Sequence, residues 1–335
     1  MLRAIRQGAL AAALLGAVAV AGAEEPAGEA AADPSVARLR FGWTAPLRAQ
    51  VTYRRTRTRP GGARTTFTAR YETRTEAEEG GLRITTQGTS WRGDLPFRHA
   101  LAREAIRASE AVVQRVGKDG KFAGLVGVEA MRPVLARVFE DARVPPDAAE
   151  RALLLALGAM RAEAEEVWNL AVGFWTGADL ALGETYALRS ESELPLLPGV
   201  RGMHAVEFRV RRRLPCTAGE RPLRCVELTL RSTPDRAALA GAAGALLARL
   251  VPGDAPRPED AAKDLSAECE LVLVTDPDTL LPRRMVWTKA VRLGLGATGR
   301  GAERAELVDR SEWDYRYLAS EPPRKAKRRA PPPTS

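Results

Sequence analysis

The most reactive side chains of this 335-residue chain are three cysteines, two histidines and a scatter of carboxylates. His99 lies in PFRHAL and His204 in GMHAVEF, and neither has a neighbouring serine-and-acid pattern that would favour a triad. Tetrahedral structural zinc needs four closed ligands, usually Cys and His, which two histidines put out of reach. No G-x-S-x-G elbow, H-E-x-x-H, Walker-type phosphate loop or helix-opening G-x-G-x-x-G occurs. The expectation is therefore no catalytic residue, no metal site and no cofactor. Cys216 and Cys225 flank TAGERPLR, a loop between two strand-like runs, and in an oxidising compartment they read as a local disulfide. Cys216 is in phase with Phe208, Val210 and Leu214, but Cys225 is out of phase with Val226, Leu228 and Leu230. Pro215 is read as the break in the ladder. Cys269, in AECELVLV, is left over as a buried small thiol.

The carboxylates have ordinary readings. Asp276 and Asp278, in VTDPDTLLP, carry turn chemistry between two strands. Glu163, Glu165 and Glu166 read as a solvated helix face, and GATGRG at 296–301 as a loop with no helix behind it to bind phosphate. Arginine-rich strand faces (Arg54, Arg55, Arg57 and Arg59; Arg209, Arg211, Arg212 and Arg213) are interleaved with acids such as Glu72, Glu76 and Glu207, which indicates cross-strand charge pairing. The run Arg324, Lys325, Lys327, Arg328 and Arg329 has no acid after Glu321 and is the candidate contact to an anionic envelope surface.

The formal charge of +9 belongs largely to the two ends. Residues 1–23 hold Arg3 and Arg6 with no acid, and from Glu321 onward five basic residues face one acid. Taking away that +2 and that +4 leaves +3 for residues 24–320. A near-balanced body argues against a nucleic-acid partner, and 45% hydrophobic residues exclude a disordered chain. Arg3 and Arg6, the apolar run Leu10 to Val20 and Ala21-Gly22-Ala23 match a secretory signal cleaved after Ala23. The apolar run is too short to span a bilayer, so a periplasmic or secreted protein without a transmembrane span is expected after cleavage.

Elements that would position these residues follow from periodicity. Residues 24–35 form a flexible spacer. LRFGW places Leu39, Phe41 and Trp43 on one face, LRAQVTY does the same with Leu47, Ala49, Val51 and Tyr53, and TFTARY with Phe67, Ala69 and Tyr71. Pro60-Gly61-Gly62 and Gly80-Gly81 turn the chain, so hairpins with one solvated face are predicted, including one over 112–125. Helical spacing takes over at about 127–174: an amphipathic helix over 127–143, a second opened by a capping box of Asp147 and Glu150, and a third over about 162–174. Strands resume at 185–193, 205–214, 223–231, 268–275, 283–293 and 304–317, with a small-residue helix at about 235–250. The tail, 321–335, is Pro-rich and basic and reads as disordered. The whole is an α+β chain: a single β-rich domain over 36–320, with a large curved, mostly antiparallel sheet and an inserted helical block packed on it.

The alternating hairpins at 47–91, the helical insertion at 127–174 and LVLVTDPDTLLPRRMVW at 271–287 resemble periplasmic half-barrel proteins of the lipoprotein-carrier type and related uncharacterised exported bacterial families. That resemblance implies a curved antiparallel sheet with helices plugging its concave face. The leading reading is an exported noncatalytic protein that binds a lipid or lipoprotein in a groove between sheet and helices. The alternative is a structural or envelope-interaction protein using its sheet face and basic tail. A third, an exported hydrolase, would need His99 or His204 in a cleft beside an acid and a nucleophile.

Overall fold

The structure is a computed structural model describing residues 35–94, 99–217, 223–250, 264–294 and 304–318. The signal segment and its cleavage site, most of the spacer, the GATGRG loop and the basic tail lie outside the described residues. Among those described, the α+β class holds. One open antiparallel sheet carries eleven strands and does not close, which fits a half-barrel.

The sheet consists of two meanders. The N-terminal one runs through β2 (Leu47–Thr58), β3 (Arg64–Glu78), β4 (Gly81–Gly93), β5 (Val113–Gly117) and β6 (Phe122–Val126). The C-terminal one runs through β8 (Thr185–Leu194), β9 (Leu197–Leu214), β10 (Cys225–Pro234), β11 (Leu265–Thr275), β12 (Pro282–Gly294) and β13 (Arg304–Tyr317). They join only where β13 pairs with β2, giving the order β6-β5-β4-β3-β2-β13-β12-β11-β10-β9-β8. A separate two-stranded sheet pairs β1 (Val36–Arg38) with β7 (Asp179–Ala181). Strand order follows from short turns, since sequence-adjacent strands need little loop-closure entropy to pair.

Among the described residues four helices attend the sheet: α1 (His99–Glu110), α2 (Arg132–Asp141), α3 (Pro146–Trp168) and α4 (Arg236–Leu250). Leu153 and Leu157 of α3 join Phe139 of α2 and Val128 of the 3₁₀ turn Val128–Met131 in a core of their own. The end of α3 and the π turn after it, Asn169–Gly173, then drive Trp168, Leu170, Val172 and Trp175 into the sheet. There they meet Val210, Leu228, Leu271, Leu273, Met285 and Trp313, in the largest apolar cluster. A second cluster sits under α4, where Leu239, Ala243 and Leu246 cover Leu265, Ala267, Val291 and Leu293. At Gly202 of β9 a Cβ would stand 2.4 Å from the Ala238 Cβ, so glycine there lets α4 approach.

Several expectations need correction. Leu39 is fully buried and Phe41 and Trp43 pack on the main core, but the strand stops at Arg38. Beyond it the backbone bonds only irregularly, Leu39 with Gly177 and Ala178, Arg40 with Pro277 and Gly42 with Thr279. The capping box does not form. Pro145 caps α3, while Asp147 pairs with Arg151 and Glu150 with Arg132. The expected third helix is the continuation of α3, because Ala162–Trp168 needs no break to turn its apolar face to the sheet. Helix α1 was not anticipated; it packs beside β4, where Glu110 Oε1 accepts the Thr89 N–H at 2.8 Å.

Cys216 and Cys225 are disulfide-bonded. The phase conflict between them has a different origin from Pro215. A bulge at Glu227/Leu228, where β9 supplies the extra residue Arg211, shifts the register, so that Cys225 faces Leu214. The bridge closes a loop nine residues apart in sequence and Cys225 is fully buried. Replacing both cysteines by serine should lower unfolding stability by about 2–3 kcal/mol, read as a lower urea midpoint at unchanged slope. No change would mean that strand pairing alone holds the β9–β10 end.

Candidate functional site: a charged seam between two apolar plugs

On the helix-covered face, each central strand carries an apolar phase interrupted by one polar position, or in β13 by two. In β10 the series is Val226, Leu228, Leu230, Ser232; in β11 it is Leu265, Ala267, Cys269, Leu271, Leu273. In β12 it is Met285, Trp287, Lys289, Val291, Leu293, and in β13 Ala305, Leu307, Asp309, Ser311, Trp313. Register lines up the exceptions: Ser232 opposes Cys269, Cys269 opposes Lys289, Lys289 opposes Asp309 and Asp309 opposes Arg57. The result is a polar seam across the sheet, with the large cluster under the α3 end on one side and the α4 cluster on the other.

Helix α3 adds two acids above this line. Glu163 and Glu166 are three residues apart, hence on one helix face. Glu166 Oε2 lies 3.5 Å from Lys289 Nζ, and Glu163 Oε1 lies 4.0 Å from an Arg55 Nη. The expected solvated face of Glu163, Glu165 and Glu166 is thus overturned for two of its members. Lys289 and Arg55 draw Glu166 and Glu163 to the sheet, while Glu165 alone stays exposed. Lys289 Nζ also stands 3.8 Å from the centre of the Trp287 ring, a cation–π contact.

Asp309 is the tightest knot. It accepts two parallel hydrogen bonds from Arg55, at 2.8 and 2.7 Å, and one from Arg57 Nε at 2.8 Å. Burial by itself would raise the Asp309 carboxyl, but Arg55 and Arg57 hold it below the usual carboxylate range. Burial opposes the charge on Arg55 too, and the Asp309 hydrogen bonds outweigh it, so the guanidinium stays protonated. Glu166 goes the other way. Burial pushes its carboxyl up to about 7, against the attraction of Lys289 and with help from Glu163 and Glu193. Burial likewise pushes the Cys269 thiol up to about 12, leaving it a neutral, poor nucleophile at pH 7.

Linkage fixes the sign of the Glu166 effect. The folded state holds this proton more tightly than the unfolded one, so its stabilising contribution is complete below about pH 4.5 and is lost as pH rises through about 7. Glu166→Gln should therefore raise stability at pH 8 by on the order of 3 kcal/mol and change it little at pH 4. Denaturant melts at the two pH values check this; a variant destabilised equally at both would contradict it.

At the end of the β9–β10 pair away from the disulfide, His204 Nδ1 and Ser232 Oγ are 2.8 Å apart, both residues being 1% exposed. Pairing of β9 with β10 brings in a serine 28 residues away, which local sequence inspection missed. Burial lowers the His204 imidazole below its ordinary value, partly offset by Asp235, whose carboxylate pairs with Arg189. His204 Nε2 and Ser192 Oγ, both buried, have no hydrogen-bond partner among the described residues. A serine and a histidine meet here, yet both are sealed from solvent beside α4, so this pair has no opening for a substrate. His99 begins α1, remote in sequence from this pair.

Asp276 and Asp278 form the expected turn: Asp276 Oδ1 accepts the Asp278 N–H at 3.1 Å. The arginine faces pair with acids, Arg48 and Arg74 with Glu72 and Arg211 and Arg212 with Glu227. Hydrogen bonds from Arg48 and Arg74 bring the Glu72 carboxyl down to about 2. Glu72 also lines an open hollow of about 630 Å³ on the opposite face of the sheet, together with Gln50, Thr52, Arg70, Gln87 and Asp314. Among the described residues, no group of three or more His, Cys, Asp or Glu side chains is placed to hold a metal ion, and no helix is long and apolar enough to cross a membrane.

Fold and site together define an open antiparallel half-barrel with a charged seam under its helices. No protein-family model matches the chain, and no curated protein matches it in sequence. Among solved structures, one on lipid–protein interactions in lipovitellin is similar at a TM-score of 0.43 and 11% identity, over 83% of this chain and 25% of that one. The β domain of the Bordetella autotransporter Brka gives a TM-score of 0.15 and 9% identity, over 81% and 99%. The chain spans about a quarter of the lipovitellin chain, and neither likeness is close enough to carry an argument.

Proposed function

We propose that this is an exported, noncatalytic protein of the half-barrel carrier type that binds a hydrophobic ligand, a lipid or a lipoprotein acyl chain, between its sheet and helices. One observation carries the reading. Where the two meanders join, the helix-covered face bears a run of aromatics, Tyr53, Phe67, Tyr71 and Tyr315, that the helices leave only half-buried. Aromatic rings with apolar bodies and polar rims suit the walls of an amphiphile site. The Cys216–Cys225 disulfide supports an oxidising compartment, in keeping with the leader-like residues 1–23. Such a protein, purified without detergent, should carry acyl-chain ligand in native mass spectra and solvent extracts. Once stripped, it should take up a fluorescent fatty-acid probe at about one per chain. A bare protein that also ignores the probe overturns the reading.

A further inference from the structure

The hollow of about 630 Å³ on the face away from the helices lies where the two meanders join. Gln50 and Thr52 of β2 run along its middle. Arg70 and Glu72 of β3 flank them on one side, Asp314 and Arg316 of β13 on the other. Beyond β3 a bulge in β4 shapes the wall: the register shifts between Arg70 and Glu72, so that Gly88 and Thr89 stand against Tyr71 alone. Gly88 has φ +63° there, with open space where a Cβ would point. The four charged residues of the lining are not equivalent. Glu72 accepts hydrogen bonds from Arg48 and Arg74, and Asp314 lies 3.8 Å from Arg284, so both acids are answered by arginines outside the hollow. Arg70 and Arg316 are exposed, and among the described residues neither has an ion pair or a hydrogen bond. Arg70 opposes Thr52 and Arg316 opposes Gln50, which puts the two at diagonal corners, about 12 Å apart at Cα from strand spacing and rise.

We propose that this hollow binds an acidic saccharide, with Arg70 and Arg316 each taking a carboxylate and Gln50, Thr52, Gln87 and Ser90 meeting the sugar hydroxyls. A guanidinium offers a planar fork of donors that a carboxylate fills with two parallel hydrogen bonds. Amides and hydroxyls both donate and accept, as sugar hydroxyls do. The volume falls within the range of about 300–1,000 Å³ usual for small-ligand sites. Diagonal placement of the two arginines favours two acidic groups on one molecule over a single small anion. Glu72 and Asp314 stand between them in the same lining, and their charge disfavours a dense anion such as phosphate. Val51, Tyr71 and Tyr315 reach the hollow from the opposite strand phase, and their side chains belong to the main apolar core, so an acyl chain finds no wall here. The site is separate from the one proposed between sheet and helices and does not depend on it.

Calorimetric titration of the full-length chain at low salt tests this with digalacturonate, galacturonate, neutral maltose and inorganic phosphate. Digalacturonate should bind at least about tenfold more tightly than each of the other three, and its affinity should fall as salt is added. Arg70→Gln and Arg316→Gln should each weaken it about tenfold, while Arg64→Gln, an exposed change at the start of β3, leaves it as it was. Because both arginines are exposed, an unchanged urea midpoint should show that the variants fold. Uptake of a fatty-acid probe should be the same in Arg70→Gln as in the natural chain, which keeps this test apart from that of the hydrophobic-ligand reading. Full digalacturonate affinity in both arginine variants overturns the assignment, and its loss only on deleting residues 321–335 moves the binding to the basic tail. Maltose binding as tightly as digalacturonate would make this a neutral-sugar site and overturn the acidic ligand. Equal, arginine-dependent binding of phosphate would make it a free-anion site and overturn the saccharide. No heat with any of the four refutes the proposal outright.

Discussion

Trp175→Ala is expected to cost about 3–5 kcal/mol, enough to leave the chain partly unfolded at room temperature. Trp175 has no exposed surface and sits edge-on to Phe174, with ring centres 4.8 Å apart, and to Phe208 at 6.1 Å. Its indole N–H donates to the Leu170 carbonyl at 2.8 Å, tying down the π turn that pushes the main core onto the sheet. The alanine variant loses the apolar burial, leaves a void and strands that carbonyl. Urea melts monitored by circular dichroism give the measurement. Leu155→Ala, at a position 75% exposed on α3, is the control and should fall within about 0.5 kcal/mol of the natural chain. A Trp175 variant equally unaffected would mean that the plug is not what holds sheet and helices together.

The second large effect belongs to Asp309. Asp309→Ala removes the shared acceptor of Arg55 and Arg57 and leaves two partly buried guanidinium groups facing each other, at an expected cost of about 3–5 kcal/mol. Converting the knot to apolar residues (Asp309→Leu with Arg55→Met and Arg57→Met) should recover most of that loss, because the penalty lies in the orphaned charges. Acid should mimic the single change. Asp309 titrates below its unfolded value, so its contribution is present above about pH 4 and disappears as pH falls through its lower folded value. If the triple variant is as unstable as Asp309→Ala, the ion pairs themselves are net stabilising and the argument fails.

Much of the sheet could be read from the chain. Alternation with glycine turns located β2, β3 and β4, and the run Leu271 to Trp287 located β11, its turn and β12. Helix α1 went unseen although Leu101, Ala102, Ala105 and Ile106 recur at helical spacing, because so short a stripe between strands carries little periodic signal. The β9 bulge was invisible because nothing in Arg211-Arg212-Arg213 distinguishes a bulged residue from a laddered one. The seam was half legible. Arg55 and Arg57 continue the inward phase of Val51 and Tyr53, Lys289 that of Met285 and Trp287, and Asp309 lies in the phase of Trp313. Each exception could be found within its own strand. Their alignment could not, since β2 meets β13 only through the closing of the whole chain, and the helix acids were assigned to water for want of a visible partner.

That closing pair has a consequence for how the molecule is made. Tyr53 of β2 and Ser311 of β13, whose hydroxyls are 3.3 Å apart, are separated by 258 residues. Until β13 has been synthesised, β2 is a bare edge, and the seam lacks Asp309, which quenches Arg55 and Arg57. The two meanders can each zip through local hairpins, but their union is among the highest contact-order steps in the fold and should set the folding rate. A chain truncated before residue 304 would be two half-sheets, each exposing a strand edge ready to pair with a neighbour.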